Sequence, residues 1–272
     1  MTYFGFLAIF IGPPLVFLVI SNWRMRQQPF PARLSAFGPF SVVLAHILVA
    51  LLYTTPWDNY LVASGVWWYE PSLVTGLTLG WVPIEEYTFF IVQTLMTGLW
   101  LIWLARKIEP AHGEIASHPG LRWVSTIILG MLWGLSVIIL ATGWQPGTYL
   151  ALILVWALPP IMLQTAFGAD ILWGYRRLVL PGFILPTLYL SLADTFAIRS
   201  GTWTIDPLQT TGLHFPGGLP VEEFTFFLVT NLLISFGTTL VLARESQGRV
   251  SPSLLEKIIK FTGLQKYEQT LR

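Results

Sequence analysis

Polar and apolar positions in this chain fall into long blocks, not short periods. Seven stretches of mostly apolar residues lie at about 3–21, 36–55, 83–105, 122–142, 148–168, 179–197 and 220–243, bounded by charges, Pro/Gly or polar turns. A helix needs roughly 20 such residues to cross the hydrocarbon core of a bilayer. The pattern predicts an all-α integral membrane protein of about seven transmembrane helices. Pro159-Pro160 interrupt the fifth stretch, and Pro181 and Pro186 the sixth. Met1-Thr2-Tyr3 offers no positive n-region and no small-residue cleavage site follows, so the first stretch reads as a retained helix and not a signal peptide.

Composition agrees: 54% of residues are hydrophobic and 11% charged, against about 25% charged in soluble domains. The absence of cysteine removes disulfides and thiolate metal sites. A net charge of +1 without a basic stripe gives no reason to expect nucleic acid. Charge placement sets an orientation. With the N-terminus outside, 14 of the 15 basic residues fall inside, Arg199 being the exception, which follows the positive-inside rule. The expected location is the plasma membrane, with the C-terminus in the cytoplasm. Beyond the last span, Ser253-Leu254-Leu255-Glu256 suggests a capping box, and Leu254, Ile258 and Phe261 share a face. An amphipathic tail over 246–272 on the inner surface is expected.

The chain also repeats itself. WDNYLVASGVW (57–67) matches ADTFAIRSGTW (193–203), PIEEYTFFIV (83–92) matches PVEEFTFFLV (220–229), and Pro13-Pro14 resembles Pro159-Pro160. Three matches in one order imply two three-helix repeats, 1–110 and 147–245, joined by a linker helix over 111–146. One linking helix gives both repeats the same orientation, so their motifs share one membrane side and can share one site.

Candidate chemistry lies in these motifs. Glu85, Glu86, Glu222 and Glu223 follow a proline into the first turn of a helix, where free N–H groups and the dipole favour carboxylate. Capping alone would explain one such pair. Two copies at membrane depth, in a chain with few charges, point to function. Adjacent helical residues point about 100° apart. Glu86 shares a face with Phe90, Gln93 and Thr97, and Glu223 with Phe227, Thr230 and Asn231, which favours the second Glu as inward-facing. Asp58 and Asp194, at the ends of helices two and six, complete the acidic set. Trp57, Trp67, Trp203, Tyr87, Phe90, Phe224 and Phe227 fit an interfacial belt and could equally line a site for a hydrophobic cation. Arg199 is a candidate ion-pair partner for a site carboxylate. His46, mid-span, reads as a packing residue. No GxGxxG, HExxH, Cys/His cluster or DDxxD-like motif is present, and no lysine falls within a span, which argues against a retinal protein.

Repeated PxEE motifs, each preceded by an Asp and a Gly-x-Trp element in a hydrophobic chain, resemble the small membrane carotenoid (lycopene) cyclases in their fused form, over roughly residues 1–245. The resemblance implies an intramolecular lyase or isomerase that forms β-ionone-type rings on a linear carotenoid. A carboxylic acid protonates the terminal double bond, the next double bond closes the ring on the cation, and a carboxylate removes a proton. Substrate and product are isomers, so no redox cofactor and no metal are implied. The family pattern stresses the first Glu of each pair, Glu85 and Glu222, and periodicity the second, so all four remain candidates. The implied partners are the carotenoid and the bilayer; self-association or association with other carotenoid enzymes is left open. Rival readings are a three-plus-one-plus-three helix solute transporter, a terpene cyclase and a carotenoid hydratase.

Overall fold

The protein is described by a computed structural model covering residues 1–109, 114–253, 256, 257 and 260. Among them, seven helices are long and apolar enough to cross a membrane. They are α1 (Tyr3–Arg24), α2 (Pro39–Ala63), α3 (Ile84–Lys107), α4 (Pro119–Thr142), α5 (Thr148–Gly174), α6 (Arg176–Arg199) and α7 (Val221–Leu242). Helices α3 and α7 form the centre: 67% of the apolar stretch of each is buried, against 6% for α4. Helix α3 packs on α1, α2 and α6, and α7 on α5, α6 and α2, while α4 rests on α5. The peripheral helices turn Leu, Ile and Val outward, the expected face for lipid.

Two helices outrun their hydropathy. Helix α2 continues through Pro56 to Ala63 instead of stopping near 55. Neighbouring elements cover its polar end, leaving Asp58 fully buried. Helix α5 bends at Gly168 but resumes to Gly174, where buried Asp170 accepts two hydrogen bonds from Arg249, at 2.7 and 2.8 Å.

At Pro14, Pro159 and Pro160 the spans continue while other groups take the hydrogen bonds these prolines forgo. Pro14 and Pro160 carry no N–H for the carbonyls of Phe10 and Trp156, four residues earlier. The Tyr189 hydroxyl donates to the Phe10 carbonyl at 2.5 Å and Tyr53 to that of Trp156 at 2.8 Å. The Val155 carbonyl, orphaned by Pro159, accepts from the Trp133 indole at 3.3 Å. In lipid, where no water can substitute, such repair is what lets a proline helix span. Ahead of Pro13-Pro14, α1 widens into a π-helical segment over Leu7–Ile11.

The acid-rich end is closed by short strands. β1 (Trp67–Tyr69) pairs antiparallel with β4 (Trp203–Ile205), Trp67 opposite Ile205 and Tyr69 opposite Trp203. β2 (Thr78–Leu79) and β3 (Val82–Pro83) form a hairpin. The helices preceding β1 and β4 are followed by Ser-Gly turns, in which Gly65 (φ 70°) and Gly201 (φ 68°) adopt the left-handed geometry glycine takes at low cost. The opposite end holds the Arg249–Asp170 pair and a short helix α8 (Arg244–Gln247). Leu254 and Leu255 of the expected capping box at Ser253–Glu256, and the Leu254, Ile258, Phe261 face, lie outside the described residues.

Candidate active site

The first turns of α3 and α7 fix the four glutamates. Each helix begins after a proline, which seeds the helical φ and lacks an N–H that would go unpaired. The first Glu of each pair turns back to the preceding loop. Glu85 accepts from the Thr75 N–H at 2.6 Å, and Glu222 from the N–H and hydroxyl of Thr211 at 2.7 and 2.8 Å. The second Glu of each pair turns into the bundle. Glu86 accepts from the hydroxyls of Tyr3 (2.6 Å) and Tyr69 (2.9 Å), and Glu223 from that of Tyr149 at 2.5 Å.

Glu86 and Glu223 meet Asp58 and Asp194 around a small cavity of about 40 Å³, room for about one water. Asp58 faces Glu86. Neither Asp58 oxygen has a hydrogen-bond partner among the described residues. Asp194 lies against Glu223 and Trp203, without a hydrogen bond of good geometry. Buried polar atoms are normally paired, so these oxygens are free to meet another molecule. Among the described residues, no Lys, Arg or His lines the cavity. Phe6, Trp57, Trp67, Phe89, Trp203 and Phe227 wall it, and Trp67 meets Tyr149 edge to face at 5.3 Å. Burial, reinforced by the Glu86 and Asp58 carboxylates, pushes the Tyr69 phenol well above its usual range, so it stays protonated and donates. Carboxyls that give and take protons, phenols that orient them and ring faces that attract positive charge can together carry an apolar molecule through a carbocation.

Of the residues singled out from sequence, Glu86, Glu223, Asp58, Asp194, Trp57, Trp67, Trp203, Phe90 and Phe227 come together at the cavity. Glu85 and Glu222 stand behind it as loop anchors. Three others lie elsewhere. Tyr87 donates to the Leu79 carbonyl at 2.7 Å. Phe224 packs on Phe215 at 4.8 Å. Arg199 is exposed at the end of α6 and pairs with no site carboxylate, a position in keeping with the favourable placement of cations at helix C-termini. Reading by sequence missed Tyr3, Phe6 and Tyr149. A signal existed for two of them: Tyr3 and Tyr149 are separated by the same interval as Pro13 and Pro159.

Seven apolar helices around a buried chamber of carboxyls, phenols and indoles define an integral membrane protein equipped for acid–base chemistry. The chain is 42% identical over 246 residues to a lycopene beta-cyclase of Halobacterium salinarum, covering 89% of this chain and 98% of that protein. It is 38% identical over 240 residues to a bifunctional lycopene cyclase/phytoene synthase of Phaeosphaeria nodorum (83% of this chain, 38% of that protein) and 40% over 200 residues to one of Podospora anserina (70% and 33%). The chain belongs to the lycopene beta-cyclase family. No family model and no solved structure matches it.

Proposed function

We propose that the chain closes β-ionone-type rings on lycopene or a related linear carotenoid, using Glu223 as acid and Glu86 as base. The observation that carries this reading is the convergence of two buried glutamates, each held by tyrosine, on one aromatic-walled cavity. The Glu86 oxygen receiving two phenol hydrogen bonds is arranged to carry negative charge. Glu223 has one phenol, and each glutamate has an aspartate beside it, Asp194 at Glu223 and Asp58 at Glu86, so the donor count is what favours the proton on Glu223.

Glu223 donates a proton to the terminal double bond, leaving a tertiary cation. The π electrons of the next double bond close a six-membered ring on it. Glu86 then accepts the ring proton and the carbon–hydrogen electron pair becomes the new ring double bond. One proton enters and one leaves, so the product is an isomer. The indole and phenyl faces of Trp57, Trp203 and Phe227 attract the cation during its lifetime.

In this reading the two repeats, 1–110 and 147–245, contribute one glutamate each to a shared site, and the acid-rich end faces outward from the plasma membrane with the basic end in the cytoplasm. Transport has less in its favour, because the acids cluster at one end of the bundle and not at the midplane.

The test is a pigment profile from a lycopene-accumulating bacterium expressing the chain beside its Glu86→Gln/Glu223→Gln form. Cyclic carotene with the native chain and lycopene with the variant is the expected result. Lycopene left intact by a folded native chain, or conversion by both, overturns the reading.

A further inference from the structure

A second cavity, of about 610 Å³, lies on the flank of the bundle, within the range of roughly 300–1,000 Å³ typical of small-molecule sites. Its walls are α2 and α5, and its floor is α7 with part of α3. Its mouth faces the lipid side: Val49 of α2 and Leu163 of α5 line it and are 61% and 73% exposed. The polar groups within it are largely turned to backbone. The His46 ring bonds the Val42 carbonyl at 2.8 Å, Gln164 donates to the Leu233 carbonyl at 3.0 Å and Thr230 to that of Phe226 at 2.8 Å. What remains towards a ligand is mainly hydrocarbon and ring surface.

This groove abuts the acid cavity. Phe90 and Phe226 line both, Trp156 lines the groove and Trp57 lines the acid cavity. Trp57 stacks on Trp156 at 4.5 Å and on Phe226 at 5.9 Å, so the partition is about one aromatic ring thick. The acid cavity alone has no room for the end of a polyene. The two spaces together do, once that partition turns aside.

The two flanks differ at the floor of the groove. At the 137-residue interval that separates Glu86 from Glu223, the floor residue Gly237 of the groove corresponds to Trp100. The Trp100 indole crosses from α3 to α6, donating to the Pro181 carbonyl at 2.9 Å, and stacks on Trp103 at 5.1 Å. The exchange of large for small is reciprocal at one point, since Gly182 corresponds to His46 at the repeat interval of α2 and α6. The indole is nonetheless the larger group and the one that ties the two helices together. The bridging tyrosines are alike in both halves, Tyr53 to α5 and Tyr189 to α1, so the difference is specific to the groove floor.

We propose that the groove between α2 and α5 is the single entrance and binding channel for a linear polyene hydrocarbon. It admits the chain sideways from the bilayer and delivers one end past Phe90 and Phe226 to the acids. Trp100 closes the matching position on the other flank. This rests on the cyclase reading above and adds to it a route and a sidedness.

The test compares Val49→Trp/Leu163→Trp, at the mouth, with Leu185→Trp/Phe17→Trp, the matching lipid-facing positions on the other flank, which are 49% and 57% exposed. Two quantities are read: lycopene conversion in membranes, and lycopene retained by the purified protein carrying Glu86→Gln/Glu223→Gln. Thermal melts of all forms verify folding. The mouth pair is expected to lower both conversion and retention at least about tenfold, and the opposite pair to leave each within about twofold. Equal effects of the two pairs, no effect of either, or no retained lycopene in any form overturns the channel. If conversion by the native chain fails while retention still depends on the mouth, the cyclase reading falls and the channel stands; if conversion succeeds and ignores the mouth, the reverse holds.

Discussion

The two halves of the acid cavity are built from matching motifs and are not alike. Around Glu86, two phenols, Tyr3 and Tyr69, converge on one carboxylate oxygen. Around Glu223 there is a single phenol, Tyr149, while an aspartate stands beside each glutamate, Asp58 and Asp194. The difference traces to one position: Tyr69 of β1 corresponds at the 136-residue interval to Ile205 of β4, and Ile205 has nothing to donate. A symmetric pair of carboxyls would leave it undetermined which one gives the proton and which one takes it. An asymmetric pair settles it, because donor count decides which group better holds negative charge.

The largest expected effect is at Glu223. Glu223→Gln removes the proposed acid, and general acid catalysis contributes about 10²–10⁴-fold. Lycopene conversion should fall at least about 100-fold in membranes containing equal amounts of folded protein. Near-native turnover would show that the proton comes from elsewhere. Glu86→Gln should lower turnover by about tenfold to 100-fold and should also change the product. A cation deprived of its base loses a proton from another carbon or captures water, so rings with displaced double bonds or a hydroxyl group are expected by chromatography. A pure β-ring product from this variant would mean that the roles are reversed or that Asp58 serves as base.

The phenols sharpen the same contrast on a smaller scale. A hydrogen bond to a charged group is worth about 1.5–3 kcal/mol, or about tenfold to 100-fold in rate. Tyr149→Phe removes the sole phenol on Glu223 and should approach that range. Tyr3→Phe and Tyr69→Phe each leave Glu86 one donor, so each should cost less, about threefold to tenfold in kcat, and the double variant more than either. Equal losses at Tyr149 and Tyr69 would dissolve the asymmetry argued above.

Much of this was legible in the chain. Hydropathy located all seven spans, and the repeated PxEE and Asp…Ser-Gly-x-Trp blocks located the acids. Periodicity favoured Glu86 and Glu223 because polar residues followed them at helical spacing; those polar residues do face inward, where Gln93 donates to Thr230 and Thr97 to Asn231 between α3 and α7. What escaped was set by long-range contact. Tyr3 and Tyr149 sit within apolar helices, and only the fold, by bringing α3 and α7 beside them, gives them carboxylate partners. Asp58 read as a helix end because WDNY is polar, whereas the strand layer above it buries that turn and lets α2 continue. Arg199 drew notice as the one outward cation, but an exposed helix end solvates it at no cost, whereas the buried cavity would demand its desolvation.

The smallest effect is expected at the residues that motif matching stresses most. If Glu85 and Glu222 anchor loops, their substitution should loosen those loops and spare the chemistry. Glu85→Gln keeps the acceptor for the Thr75 N–H, and Glu222→Gln keeps one for Thr211, each giving up only the charge on that hydrogen bond. Turnover per folded molecule should stay within about threefold of native, with a melting temperature lowered by a few degrees, since a stability loss near 1 kcal/mol shifts a protein of this size by about 2–4 °C. Glu222→Ala, which leaves the Thr211 N–H and hydroxyl without their acceptor, should lower the melt further than Glu222→Gln. The outcome that would break this assignment is a loss of turnover at Glu222→Gln as deep as at Glu223→Gln with an unchanged melt. The first glutamate of the pair would then belong to the reaction, and the contrast between an inward acid and an outward anchor would have to be redrawn around a loop that opens during turnover.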